Sequence, residues 1–486
     1  MFEGGFRSGA GAIWREVKQT KHLPVALLIT AYVGWFVHLS LALYWGYGDP
    51  PFDLSVWDQG LWLLSHFHAP FVTIMGRDLF GDHSTIILYL VAPFYRLFPE
   101  PQGLLVLQTL LLAAPAVPIY ILAQKWMKHT VVATLLAATY LLNPALQMGN
   151  LEQFHPESFL VLFITLAIYA AIEYKPVMFA LMVALALLVK EDTVLLLAPL
   201  GVWVGFRRSW KWGARTIVAS IVWALIANLV IIRSILGTAG YYAVYIPFGG
   251  ISKSVATLAR SPGKVLALLR GDGRPFYVWQ MGVSAGWGFL LSPEIALIGL
   301  LVLLENVFST LVYMHQINYH YSMVLVPVLV LGTAFAIAKQ KTVRRRNVAT
   351  VVVVACAFWS CLLWGLAPFS DNTIHPYWSS SSPMGQASAA LERAIPPDAV
   401  VSAWYPMVPF LDHRTQIYVW PVPFYTLNWG LGTNGLRLPQ ARRVQYLLLP
   451  TPLSSVPNAD VFTKIANSYT LVRSQSGLSL YKRRAE

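Results

Sequence analysis

The sequence predicts a polytopic α-helical membrane protein with a small, water-exposed α/β domain at its C-terminal end. Of 486 residues, 56% are hydrophobic and only 12% charged, about half the charged fraction of an ordinary soluble domain. Most of the apolar residues lie in runs near the ~20 residues that a bilayer requires. Beyond about residue 366 the composition changes, charge becomes ordinary and short β-like runs appear. The formal net charge of +13 would suggest nucleic acid in a soluble chain. Here the basic residues concentrate between apolar runs, as topology signals do, so no nucleic-acid partner is expected.

Taken in order, the spanning candidates are 24–46, 103–124, 130–147, 157–173, 176–189, 193–206, 216–234, 280–291 with 293–309, 322–338 and 347–366, which gives about eleven crossings. Arg7, Arg15, Lys18 and Lys21 precede the first run, and no small-residue cleavage site follows it, so it reads as a membrane helix and not as a removed signal peptide. With Lys125/Lys128, Arg207/Arg208/Lys211/Arg215 and Lys339/Lys341/Arg344/Arg345/Arg346 they form four basic clusters expected on the cytoplasmic side. Parity then settles 84–98, which is short and contains Pro93 and Arg96. If it crossed, Lys125 and Lys128 would lie outside. It is therefore placed flat at the outer surface beside 53–65, where Leu54, Trp57, Leu61 and Leu64 make one apolar stripe.

Residues 47–102 become one long outer loop of a transmembrane domain spanning 1–366. Segments 148–156, 235–279 and 310–321 join it outside, and these segments hold many of the His, Tyr and acidic residues of that domain. The last segment, 367–486, has β-like runs at 400–405, 416–420 and 444–449. An odd number of crossings from a cytoplasmic start places it outside a cell inner (plasma) membrane. Cys356 and Cys361 share one apolar run and provide neither a disulfide framework nor a metal motif. No internal repeat is visible, which disfavours transporter folds built from duplicated halves. Nothing matches a Walker loop, a dinucleotide-binding glycine motif, a Ser nucleophile elbow or a HExxH helix.

Five groups carry residues suited to chemistry. Pro50 and Pro51 end the first helix, and Asp49, Asp53 and Asp58 follow within ten residues, with Asp53 placed to cap the next helix. Asp82 and His83 form the second group, with Asp78 nearby. The third, Glu152, His155 and Glu157, puts two carboxylates and an imidazole within six residues, suited to a divalent metal or to a sugar hydroxyl. The fourth is Lys190, Glu191 and Asp192 between two apolar runs, where Lys190 pairing with Glu191 or Asp192 is the competing account. His315 and His320 enter a span as the fifth. The 235–279 loop adds Tyr241, Tyr242 and Tyr245, which suit an aromatic belt, and Lys253, Arg260, Lys264, Arg270 and Arg274, whose outward positive charge invites an anionic partner such as a lipid phosphate.

The order of these elements resembles the GT-C superfamily of integral-membrane glycosyltransferases. More narrowly, 52–62 (FDLSVWDQGLW), 83–99 (HSTIILYLVAPFYRLFP), 154–157 (FHPE), 319–322 (YHYS) and 391–403 (LERAIPPDAVVSA) are similar to a bacterial predicted-membrane-protein family of unknown function grouped with GT-C. The resemblance implies sugar transfer from a polyprenyl-phosphate donor to a glycan, lipid or protein acceptor hydroxyl at the outer face, usually with inversion. It also implies an essential acid shortly after the first helix. Asp53 matches that position best and Asp58 second. The paired adjacent acids of protein mannosyltransferases are missing, so Asp49, Asp53 and Asp58 remain the candidates.

A phosphate leaving group departs as a stable anion, so a single carboxylate base with cations on the phosphate suffices. In this reading Asp53 is the base, and Lys190 with Arg270 or Arg274 contacts the donor phosphate. Asp82, His83, Glu152, His155, Glu157 and His320 contact the acceptor or sugar. No cofactor is required, and a divalent metal on the same acids and His155 stays open, as in the oligosaccharyltransferase branch. The rivals are a transporter or flippase of lipid-linked sugars, and a structural membrane protein whose tail binds the envelope.

Overall fold

The structure, a computed structural model, describes residues 22–485 apart from 239, 240, 375, 376, 453–455 and 457. The basic cluster Arg7, Arg15, Lys18 and Lys21 and the side chains of Tyr241 and Tyr242 lie outside the described residues. Among those described, five helices are long and apolar enough to cross a membrane: Leu23–Trp45, Pro101–Met127, Trp210–Leu236, His320–Ala338 and Val343–Trp364. A sixth candidate is the pair Thr130–Leu141 and Pro144–Leu151, bent by 47° where the Asn143 side chain accepts from the Ala145 N–H and Pro144 starts a new helix. Shorter apolar helices run Glu157–Ile172, Pro176–Leu187, Val194–Arg207 and Ala296–Phe308.

The expected crossing at 280–291 is not one helix. Helix Arg274–Ser284 stops there, and Gly286 and Trp287 both take left-handed backbone (φ 64° and 53°) before a short turn resumes at Gly288. A Cβ on Gly286 would lie 2.7 Å from the Val353 side chain, so the break is also where helix Val343–Trp364 packs closest.

The first outer loop is a folded unit. Helix Leu23–Trp45 already ends at Gly46, four residues before Pro50, so the prolines do not terminate it; they open a π-type turn, Pro51–Ser55, that runs into helix Val56–Ser65. Asp53 caps neither element: it sits inside the turn, and Ser55 takes the position before the helix without a side-chain cap bond. Nor does Val56–Ser65 lie flat in an interface, because Val56 to Leu61 are all buried, Asp58 and Gln59 included. Leu54, Trp57 and Leu61 of the amphipathic stripe are buried as well, and the polar residues Asp58 and Gln59 are covered by the C-terminal domain. A hairpin of β1 (Phe71–Val72) and β2 (Arg77–Asp78) follows. Helix Leu88–Tyr95 has eight residues with Pro93 inside, about 12 Å and too short to span.

The C-terminal domain carries a five-stranded mixed sheet. Strands β3 (Val401–Ala403), β4 (Ile417–Val419) and β5 (Tyr446–Pro450) coincide with the three expected β-like runs, and β6 (Tyr469–Gln475) and β7 (Leu478–Arg483) complete the order β4-β3-β5-β7-β6. β3 pairs in parallel with β4 and β5, and the other pairings are antiparallel. Ser476 and Gly477 both have positive φ, which suits the two-residue turn joining β6 to β7.

This domain docks on the first outer loop, so both lie on one face of the bundle. The Thr73 hydroxyl donates to the Ile417 carbonyl (2.6 Å) and accepts from its N–H (2.9 Å). Gln59 donates to the Arg414 carbonyl, and Tyr47 stacks on Trp378 and lies 4.3 Å from Phe410 between ring centres. The Trp429 indole N–H donates to the Thr73 carbonyl directly under Gly76, whose φ is 70° and where a Cβ would fall 2.2 Å from the indole ring. Gly76→Ala therefore meets both a backbone penalty and a clash. We expect a drop of more than 1 kcal/mol in docking stability, read as faster protease release of residues beyond 366. An unchanged digestion pattern would show that the Trp429 contact does not hold the domain.

Candidate active site

Five segments converge at one end of the bundle. Helix Pro101–Ala113 supplies Gln108, whose amide N–H₂ donates to the carbonyls of Gly149 (3.1 Å), Asn150 (3.0 Å) and Gln153 and whose carbonyl accepts from the His155 N–H at 2.6 Å. This one buried amide fixes the turn 149–155, including Gln153 at a left-handed φ of 69°, a conformation that persists only where the surroundings impose it. Pro156 then starts helix Glu157–Ile172.

The turn presents Glu152, His155 and Glu157 toward the other segments. His155 Nε2 lies 3.5 Å from an Asp53 carboxylate oxygen. Its ring stacks on His320 with centres 3.7 Å apart. Glu152 accepts from both the backbone N–H and Nδ1 of His320, the latter at 3.1 Å. On the other side of that ring Glu157 is 4.0 Å from Nε2 and receives Lys190 Nζ at 2.8 Å. Lys190 also reaches Asp192 at 3.4 Å, while Glu191 turns away to His83 Nδ1 (2.7 Å) and the Ser84 N–H (3.0 Å). The result is one continuous chain of polar contacts from Asp53 through His155, His320 and Glu157 to Lys190.

Of the expected site residues, the structure thus brings together Asp53, Glu152, His155, Glu157, Lys190 and His320. His83 joins at the margin through Glu191, and Asp82 pairs with Arg77 at 3.0 Å. Arg274 does not join: it is 2% exposed and its guanidinium donates to the carbonyls of Val307 (2.7 Å), Ser309 (2.9 Å) and Gly271 (3.3 Å) and to Asp272, which holds a loop in place and buries the group away from the site. Arg270 is exposed at the end of helix Pro262–Arg270. The three candidate acids also separate. Asp49 and Asp58 are 2% and 0% exposed, whereas the Asp53 side chain is 35% exposed and can meet a substrate. The competing partner of Lys190 is Glu157, 33 positions away, as well as Asp192, and not Glu191.

Burial opposes a charged His155, but the Asp53 hydrogen bond and the charges of Glu152, Asp53 and Glu157 outweigh it and push the imidazole up to about 9. Burial pushes the Asp49 carboxyl up to about 7, with the Asp53 charge adding to it. Because the folded value for His155 lies above its ordinary 6.5, its contribution to stability is complete below that pH and lost as pH rises through about 9. We expect thermal stability in detergent to fall between pH 6.5 and 9, with His155→Gln flattening the profile. A parallel fall in that variant would assign the loss to another group.

Glu152, His155 and His320 each offer a donor atom within 4.8 Å of the others. An imidazole binds a metal through its in-plane lone pair, and two rings tilted by only 20° at 3.7 Å cannot both aim that pair at one ion about 2.1 Å away. The arrangement does not fit a metal, and its chemistry is that of hydrogen bonding and proton transfer. Sequence reasoning missed Gln108, since a glutamine in an apolar helix gives only a weak signal, and it missed the Asp412–His413 pair, which stands out as two titratable neighbours in a tail read only for its strands.

A family model described as Predicted membrane protein (DUF2079) matches residues 50–480. The chain belongs to this family. Like its family, it is a multi-pass α-helical membrane protein with the small C-terminal sheet domain described above. No curated protein matches it. Among solved structures it is similar to ArnT from Cupriavidus metallidurans in the apo state, at 12% identity over 97% of this chain and 98% of that one, with a TM-score of 0.49. It is likewise similar to ArnT from the same organism bound to undecaprenyl phosphate, at 11% identity over 94% and 99% of the two chains, with a TM-score of 0.49.

Proposed function

We propose that this protein is a membrane glycosyltransferase that moves a sugar from a polyprenyl-phosphate donor to an acceptor hydroxyl, with inversion, using Asp53 as base. The observation that carries the reading is the juxtaposition of a half-exposed carboxylate, Asp53, with a buried relay of His155, His320, Glu157 and Lys190 at the end of a bundle of apolar helices. A lipid-linked substrate reaches such a site from the bilayer with its phosphate at the helix ends. The resemblance of the element order to GT-C enzymes supports the same chemistry.

In the proposed reaction Asp53 accepts the acceptor proton as the oxygen attacks the anomeric carbon, and the phosphate leaves without protonation. His155, protonated at neutral pH, holds Asp53 in position. Lys190 meets the phosphate by exchanging one of its two carboxylate partners, Glu157 or Asp192, for it. Glu152 and His320 then serve as sugar-hydroxyl contacts.

Orientation follows from the opposite end of the bundle. Helix Glu157–Ile172 is 16 residues long, about 24 Å, and carries Glu157 in the site and Glu173 at its far end. There Lys125 pairs with Glu173, and Arg207 and Lys339 both pair with Glu294. A basic end of this kind favours the cytoplasm. In our reading the site and the domain from about 367 to 486 are extracytoplasmic, in the inner membrane. The test is transfer of labelled sugar from polyprenyl-phosphate donors by the purified protein in liposomes, comparing wild type with Asp53→Asn. Turnover by neither across hexose and pentose donors would overturn the proposal.

A further inference from the structure

Away from the Asp53–Lys190 chain, the seam between the first outer loop and the C-terminal domain closes over a second group of ionisable side chains. Asp58 is wholly buried there. One of its oxygens accepts from the Tyr95 hydroxyl at 2.6 Å, and the other lies 2.7 Å from His413 Nε2. The Tyr95 oxygen is itself 3.0 Å from that nitrogen. Asp412 is 1% exposed, and its Oδ2 has no hydrogen-bond partner among the described residues. Asp58, Asp412 and His413 each bring one donor atom within 4.8 Å of the other two. Arg414, next along the chain, is taken up elsewhere, donating to the carbonyls of Leu411, Ala399 and Pro396.

Two carboxylates buried side by side repel each other, and either a proton on one of them or a cation between them relieves that repulsion. Two carboxylates and one imidazole, with a phenol oxygen beside them, are a ligand set for a divalent ion of the zinc class. The His413 side chain is 30% exposed, which gives the ion a way in from solvent. Unlike the stacked rings of His155 and His320, the His413 ring aims its Nε2 edge at the Asp58 carboxylate.

We propose that Asp58, Asp412 and His413 form a zinc-class divalent-metal site that clamps the C-terminal domain onto the first outer loop. Ligand atoms of a tetrahedral zinc are about 3.4 Å apart, so His413 Nε2 and the Asp58 oxygen, now 2.7 Å apart, would separate by about 0.7 Å on loading, while His413 Nε2 and the Asp412 oxygen, now 4.0 Å apart, would close by about 0.6 Å. Asp58 comes from the loop and the other two ligands come from the domain, so the ion would join segments separated by more than 350 positions.

The test uses the full-length protein in detergent, stripped with a chelator and titrated with zinc by calorimetry, with metal content and melting temperature measured in parallel. We expect one equivalent of zinc, a higher melting temperature when it is bound, and affinity at least about tenfold weaker in both His413→Ala and Asp412→Asn. His413 is partly exposed, so its truncation keeps the experiment informative even where Asp412→Asn fails to fold. Absence of zinc uptake by the stripped wild type would overturn the proposal, and so would undiminished affinity in His413→Ala. Binding lost in Glu152→Gln but kept in His413→Ala would also overturn it, by moving the ion to the other histidine group.

Discussion

Asp53→Asn is expected to leave the fold intact and to lower sugar transfer by roughly 10²–10⁴-fold, the usual range for loss of a general base. Three features separate chemistry from stability at this position. Asp53 caps no helix, so no N-cap energy is lost. Its side chain is 35% exposed, so the amide is not forced into an apolar cavity. Its contact, His155 Nε2 at 3.5 Å, can also donate to an asparagine oxygen. Asp58→Asn serves as the control. It lies in the seam with Tyr95 and His413, and its cost should appear in melting temperature and domain release, with turnover per folded molecule preserved. Transfer abolished by Asp58→Asn alone would reassign the base. Full transfer in both variants would sink the transferase reading.

The largest expected effect on stability is that of Glu157→Gln. It leaves the Lys190 ammonium, 8% exposed, without its 2.8 Å partner, and breaking a buried pair from one side costs about 3–5 kcal/mol. Asp192 at 3.4 Å compensates in part and places the expectation at the lower end. Removing both charges in Glu157→Gln/Lys190→Met should cost less than the two single changes added together, because no unpaired buried charge remains. Melting temperatures of the four proteins in one detergent decide the point. Additive losses would mean that the two side chains do not act as a pair.

The helical bundle and the C-terminal sheet were legible in the sequence because apolar run length and composition are local signals. The break at Gly286 and Trp287 was not, since an apolar run looks the same whether or not a tertiary contact with Val353 interrupts it. At the site, residue types and approximate positions could be read, and Asp53, Glu152, His155, Glu157, Lys190 and His320 do meet. Which partner each one finds could not be read: Lys190 passes over adjacent Glu191 for Glu157, and Glu191 takes His83, 108 positions away. Outward positive charge was read as phosphate binding in Arg274, where burial against backbone carbonyls gives it a scaffold role. Asp412 and His413 carry meaning only through Asp58, 355 positions from His413, a separation no pattern along the chain encodes.

That same separation sets an order of events during synthesis. The hairpin bearing Thr73 and the helix bearing Asp58 emerge early, yet their partners Ile417, His413 and Trp429 follow 344 to 356 residues later. At roughly 5–20 residues per second, 355 residues take about 20–70 seconds. During that interval the polar face of Val56–Ser65, with Asp58 and Gln59, lacks the cover that the C-terminal domain gives it. A ribosome-bound chain can thus be inserted in the membrane while this face of the first outer loop is still open. Its cover arrives only with the segments beyond residue 400.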